Sequence, residues 1–250
     1  FGIAIDVSSS LIILFTIFGA VLQFSGAGKF FIDFSFAATG GKRASAGRSV
    51  VLASFLLGGP SGSGVATTVT LGAVAHPMLE KAGYGKDAAG GLLAAGGLGA
   101  ILSPPVLGAA AFLIAEFLKI SYLDVIRMAA IPTCLYYLSL FVMVEIDARR
   151  FGEGAVPFEK GHSVGRLLRE HGFHFVSLVS IVVFMLLGYS PILSVFWATV
   201  VAYAMSFLRR DSALGPSKLA EALAHGSMGM LNVGSTCATG RGCNSSSRYT

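Results

Sequence analysis

Residues 49–79 read SVVLASFLLGGPSGSGVATTVTLGAVAHPML. No Asp, Glu, Lys or Arg occurs between Arg48 and Glu80, yet the apolar run is interrupted at its middle by Gly58-Gly59-Pro60-Ser61-Gly62-Ser63-Gly64. A second charge-free run, Ala88 to Ala115, is interrupted by Ser103-Pro104-Pro105. Backbone that leaves a helix inside hydrocarbon must be buried in protein or line a wet cavity, because lipid offers it no hydrogen bonds. Two apolar runs broken halfway therefore bring carbonyls and amides to the midplane, where membrane carriers bind coupling ions and anionic substrates.

Composition agrees with a membrane setting. Mean hydropathy is +0.75 and charged residues make up 12% of the chain, against about 25% in a soluble domain. The fold class expected is an all-α polytopic membrane protein. The net charge of +5 does not point to nucleic acid, since the Lys and Arg residues fall between the apolar runs in the positive-inside manner. Cys134 lies within an apolar run and reads as packing; Cys237 and Cys243 lack metal-ligand spacing. The chain opens at Phe1 without a basic leader, which reads as a fragment and not as a signal peptide.

Working outward, Ile3 to Phe24 is long enough for one span at about 20 residues per crossing. Phe30 to Ala38 suits an interfacial or connecting helix. Ser49–Leu57 and Val65–Leu79 form two short arms. Lys42, Arg43 and Arg48 precede them, and Lys81 and Lys86 follow, so both ends are expected inside and the run reads as a re-entrant hairpin. Ala88 to Lys119 then crosses as two half-helices, because a Pro-Pro pair removes amides and restricts the residue before it. Tyr122 to Ile146 returns to Arg149-Arg150. A basic loop with Lys160, Arg166 and Arg169 follows. His171 to Phe207 holds no Asp, Glu, Lys or Arg and divides at Gly188-Tyr189-Ser190-Pro191 into two spans. A last helix begins at Ser217 and runs to about Val233, before the small polar stretch Gly234 to Gly240.

Four of these segments carry a resemblance. Ser61-Gly62-Ser63-Gly64, the run Pro77 to Tyr84, the block Ser103 to Phe112, and Ala130-Ile131-Pro132 together resemble the large membrane subunit of TRAP transporters, nearest the fused permeases served by TAXI-type binding proteins. The likeness runs from about residue 8 to 240. It implies an elevator-type secondary transporter of the bacterial inner membrane, multi-pass, coupled to an ion (Na+) and moving organic acids. It also implies a periplasmic TAXI-type substrate-binding protein and a small membrane subunit or fused N-terminal equivalent as partners, the lipid bilayer as surroundings, and no cofactor beyond the coupling ion.

In that scheme residues 1–46 hold an N-terminal span and connecting helix, and 47–121 the first hairpin and broken helix of the transport domain. Residues 122–210 supply scaffold or connecting spans, and 211–240 the leading arm of a second hairpin. The tail 241–250 reads as unrelated, in the manner of a shifted frame, so the fold is expected to be incomplete and a non-functional product is one reading. Another broken-helix elevator family is a rival within the class. An intramembrane hydrolase is not favoured, because no Ser-His or Ser-Lys pair stands at helical spacing inside a span.

A Na+ ion needs several hard oxygens. Carbonyls at half-helix C-termini, those of Gly58, Gly62, Gly99 and Leu102, carry the negative end of the helix dipole, and hydroxyls come from Ser61, Ser63 and Ser103. The facing halves start near Val65 and Val106, where amides favour a carboxylate. Ser63, Gly64, Thr67, Thr68, Pro105 and Val106 are therefore the expected substrate contacts. The competing reading is that Gly and Ser clusters in membrane helices serve close packing. The glycines at 90, 91, 96, 97 and 99 follow no strand, so no dinucleotide site is expected. His76 with Glu80 reads as an interfacial cap, and Asp124 with Arg127 as a salt-linked helix end.

Overall fold

The computed structural model describes residues 8–39, 45–151, 164–207, 214–228 and 231. Among these, regular structure is helical throughout. A π-helical turn (Ser8–Ile12) leads into α1 (Ile13–Phe24), which bends by 66° into α2 (Ala27–Thr39). Together the two meet the length and apolarity of one broken span. The segment from Phe30, expected as an interfacial or connecting helix, covers Phe30, Phe31 and Phe36, and Phe30 and Phe31 pack edge-on against Phe175.

The hairpin is α3 (Ser45–Ser61) and α4 (Gly64–Lys81), and the broken helix is α5 (Lys86–Leu102) and α6 (Ala109–Leu118). Then follow α7 (Tyr122–Phe151), a short α8 (Val164–His171), α9 (Phe173–Leu186) and α10 (Pro191–Ser206). Residues 216–228 are again helical, and His225 lies edge-on to Phe24 of α1. The stretch 234–240 and the tail 241–250 lie outside the described residues.

Three boundaries differ from expectation. The leading arm runs through Gly58-Gly59-Pro60 to Ser61 before it breaks. Pro60 sits in the last turn, where few later amides depend on the backbone it disturbs. The second half of the broken helix begins at Ala109 and not near Val106, since residues 103–108 are extended or bent. Arg166 and Arg169 belong to α8, an amphipathic helix that buries Leu167.

α7 is long and apolar enough to cross a membrane by itself over Tyr122–Arg149, whereas α9 and α10 are shorter apolar helices. Its two faces differ. Thr133, Tyr137, Leu140, Val144 and Ala148 are buried, at helical spacing. Ile131, Leu135, Leu138, Val142 and Ile146 are exposed, and Cys134, expected to pack, is exposed as well.

Helices in lipid gain little from hydrophobic burial against one another, so association rests on close approach and hydrogen bonds. Both are visible here. A Cβ on Gly58 would lie 2.5 Å from Ala100 Cβ, one on Gly64 2.7 Å from the Gly97 carbonyl oxygen, and one on Gly96 2.8 Å from Ser54 Cβ. These contacts join α3, α4 and α5 into one tightly interlocked unit. At one end of it Arg48 pairs with Glu145 of α7, which also holds Arg149 at 3.2 Å.

Candidate functional site

The tip of the hairpin and the break of α5–α6 face each other. A Cβ on Gly59 would come within 3.2 Å of the Pro104 oxygen. One on Gly62 would lie 3.2 Å from Val106 Cγ1 and 3.5 Å from the Leu107 oxygen. The tip itself is Gly62, at φ +56°, followed by Ser63, whose hydroxyl accepts from the Ala66 amide and caps α4. From Arg48 to Gly62 is about 21 Å of helix, well short of the roughly 30 Å hydrocarbon core.

The break meets α7 at Thr133, which lies about 18 Å along that helix, at 1.5 Å per residue, from the Glu145 that pairs with Arg48. Pro104 and Pro105 are joined by a cis peptide bond. Such a segment exposes backbone groups that would cost several kcal/mol each if left unpaired in hydrocarbon. α7 and the break itself answer them one by one. The Tyr122 hydroxyl accepts from the Leu107 amide (3.2 Å) and donates to the Pro105 carbonyl (3.3 Å). The Thr133 hydroxyl lies 2.6 Å from the Leu102 carbonyl and 2.7 Å from that of Ala129 on its own helix, one proton serving both; away from the break, Tyr136 donates to the Ala95 carbonyl within α5 at 2.7 Å. The Gly108 amide closes the loop on the Ile101 carbonyl at 2.8 Å. Tyr122 is held for this by stacking on Phe112, centroids 4.6 Å apart, with Phe15 against both rings.

The expected site residues fall into separate groups. Gly99 and Ser103 are together: Ser103, fully buried, donates to the Gly99 carbonyl at 2.9 Å and meets the Tyr137 hydroxyl at 3.0 Å. Leu102 adjoins them through its carbonyl. Gly58 is not a helix end; its carbonyl accepts from the Gly62 amide at 3.0 Å, and its lack of a side chain serves the approach of Ala100. The packing reading therefore holds at that position. Ser61 closes α3, and its side chain lies outside what is described. Val106 is buried in the extended segment beside Gly62, away from any helix start, and Pro105 precedes it. Thr68 bonds the Gly64 carbonyl of its own helix at 2.9 Å and faces α5, with the Leu93 carbonyl at 3.5 Å, and Gly64 abuts Gly97.

Thr67 points the other way, into a small, mostly apolar cleft between the tip and the α1–α2 bend. Pro60, Thr70, Gly19, Gln23 and Phe31 also line it, and the Gln23 amide donates to Thr70 at 3.2 Å. The tip thus presents one side to the break and the other to this cleft.

Tyr122, Thr133, Tyr136 and Tyr137 were not singled out in the sequence, although Thr133, Tyr136 and Tyr137 stand at i, i+3 and i+4 within an apolar span and so share one face. Polar groups at that spacing are the signal that marks them. Elsewhere His76 Nδ1 lies 3.9 Å from Glu80, and Arg127 is 3.3 Å from Asp124, the salt link expected at that helix end.

The donor set at the break consists of neutral oxygens. No group of three or more His, Cys, Asp or Glu capable of holding a metal occurs among the described residues. Carbonyl and hydroxyl oxygens suit a hard cation. With no carboxylate to balance charge in a poorly solvating interior, a monovalent ion fits such a set better than a divalent one.

Sequence comparison places these features in a wider context. A family model described as tripartite ATP-independent periplasmic transporter, DctM component, matches residues 3–243. The 2,3-diketo-L-gulonate TRAP transporter large permease protein YiaN of Escherichia coli (strain K12) is 33% identical over 109 residues. That match covers 44% of this chain and 26% of the relative, about a quarter of the relative's length.

Proposed function

Since this chain belongs to the DctM component family of tripartite ATP-independent periplasmic transporters, an integral membrane family of transporters and not enzymes, we propose that it carries out ion-coupled secondary transport of organic acids across the bacterial inner membrane. Na+ is the proposed coupling ion. A periplasmic binding protein, of the TAXI type in this reading, delivers the substrate, and a small membrane subunit or its fused equivalent completes the assembly. The observation that carries the reading is the apposition of hairpin tip and Pro-Pro break beside the interior of α7.

In this proposal Gly99, Leu102 and Ser103 hold the cation, with Ser61, Gly62 and Ser63 closing over it from the tip. Gly64, Thr67, Thr68 and Pro105 flank the substrate. A bound Na+ would supply positive charge to offset a substrate carboxylate. Residues 47–121 form the moving body of an elevator. The sequence alone assigns α7 to the scaffold. Its bonds to Ala95, Leu102, Ser103 and Arg48 instead favour α7 travelling with that body, leaving α1, α2, α9 and α10 as the frame.

Two experiments test this. Reconstituted full-length transporter with its binding protein is expected to accumulate a sugar acid, 2,3-diketo-L-gulonate among a panel, only under an inward Na+ gradient. Uptake indifferent to Na+ would refute the coupling. Cysteines at Arg48 and Lys81 should label only from the cytoplasm; labelling of Lys81 from the periplasm would mean that the hairpin spans.

A further inference from the structure

We propose that Tyr137 of α7 is a positioning residue that weakens cation binding at the break, by donating its phenolic proton to the Ser103 hydroxyl and so occupying a lone pair a cation would use. The inference rests on the reading that Ser103 and Gly99 belong to a cation site.

The argument is one of proton counting. A serine hydroxyl has one proton and two lone pairs. Ser103 spends its proton on the Gly99 carbonyl at 2.9 Å. The phenol of Tyr137 has two hydroxyl neighbours, Ser103 and Ser54, and with the Ser103 proton on Gly99 the 3.0 Å contact to Ser103 Oγ has Tyr137 as its donor. The bonds form a chain, Tyr137 to Ser103 to the Gly99 carbonyl, which engages two of the expected cation ligands at once. Each donor in it opposes a cation, since a cation and a hydrogen-bond proton seek the same electron pairs.

The arrangement is built. Gly99 has no side chain where the phenol sits: a Cβ there would lie 2.6 Å from the Tyr137 oxygen. Phe55 of α3 meets the ring edge-on at 5.1 Å and the ring is 7% exposed, which fixes the phenol beside Ser103 and Ser54; the Ser54 proton is spent on the Val51 carbonyl at 2.8 Å. Tyr136, one residue earlier, donates to the Ala95 carbonyl and not to any of the expected ligands. It therefore serves as a matched control.

Tight ion binding hinders a carrier that must release its ion on the far side. A fixed competing donor is one way to hold affinity in a usable range. The direction of the effect separates this role from a ligand role: loss of a ligand weakens binding, whereas loss of a competing donor strengthens it.

The test uses the purified full-length transporter in nanodiscs and reads the Na+ concentration giving half of the maximal Na+-dependent thermal stabilisation, with choline keeping ionic strength constant. Tyr137→Phe is expected to lower that midpoint by about three- to tenfold, the range one hydrogen bond supplies. Tyr136→Phe should leave it unchanged, and Ser103→Ala should raise it. Tyr137→3-fluorotyrosine, which keeps the shape and strengthens the donor, should raise it and covers the case in which Tyr137→Phe folds poorly. A midpoint unchanged or raised in Tyr137→Phe, with Ser103→Ala behaving as expected, overturns the role of Tyr137 alone. A midpoint unmoved by Ser103→Ala overturns the site reading, and the inference with it.

Discussion

The turn between α3 and α4 and the turn between α9 and α10 are made of the same parts. Each has a glycine at positive φ, Gly62 at +56° and Gly188 at +87°. Each has a serine whose hydroxyl accepts, at 3.4 Å, from the amide three residues on: Ala66 for Ser63 and Leu193 for Ser190. Their surroundings differ. Space beside Gly62 is taken by Val106 and Leu107, while a Cβ on Gly188 would meet nothing within 4 Å. Leu186, Leu187 and Tyr189 around the second turn are exposed. Local chemistry turns a chain in both places, but only the turn that meets a broken helix becomes a candidate site. The partner, not the turn, makes the difference.

The largest expected effect attacks the partner contact. Gly58→Leu forces a side chain into the space of Ala100, at a cost of about 3 kcal/mol, and should abolish uptake while sharply lowering the melting temperature in detergent. Enlarging Gly215, beside which a Cβ meets nothing within 4 Å, should do neither. Next, Tyr122→Phe leaves the Leu107 amide and Pro105 carbonyl without that hydroxyl and should cost about 2 kcal/mol. An unchanged unfolding midpoint would mean that the break does not rely on α7.

A direct comparison of the two turns comes third. Gly62→Ala and Gly188→Ala both place a side chain at positive φ, at about 1.5 kcal/mol each. Gly62→Ala alone should also displace Val106 and reduce uptake; equal transport in both variants would erase the distinction drawn between the turns. Smallest are the caps. Ser63→Ala and Ser190→Ala should each cost about 1 kcal/mol, yet only Ser63→Ala should change the Na+ concentration for half-maximal uptake.

Much of this was legible from residue chemistry. Pro104-Pro105 could hardly be anything but a break, because two amides are missing in sequence. Ser190-Pro191 marked the start of α10 for a similar reason, a cap followed by a residue preset for the first helical turn. Gly58-Gly59 was ambiguous, since a missing side chain signals a bend and a close contact alike. Only Ala100, 42 positions away in the chain, decides between them. Tyr122, Tyr136 and Tyr137 were opaque for a related reason. A tyrosine in an apolar helix gives no hint of which carbonyl its hydroxyl will reach until the neighbouring helix is in place. Ser103 could be singled out by its place before the Pro-Pro pair, but its use of its only proton on Gly99 depends on the helix above it continuing regularly to Leu102.

The interlock of α3, α4 and α5 through Gly58, Gly64 and Gly96 has a mechanical consequence. Dispersion between such close backbones falls away within an ångström of separation, so sliding one helix past another would forfeit the whole seam at once. Paired spin labels on α4 and α5 should accordingly report one sharp interlabel distance throughout a transport cycle, while labels bridging α4 and α10 should report two. Whatever the tip and break grip together, they would carry as a clenched jaw carries its load: by moving the skull, with the teeth held still.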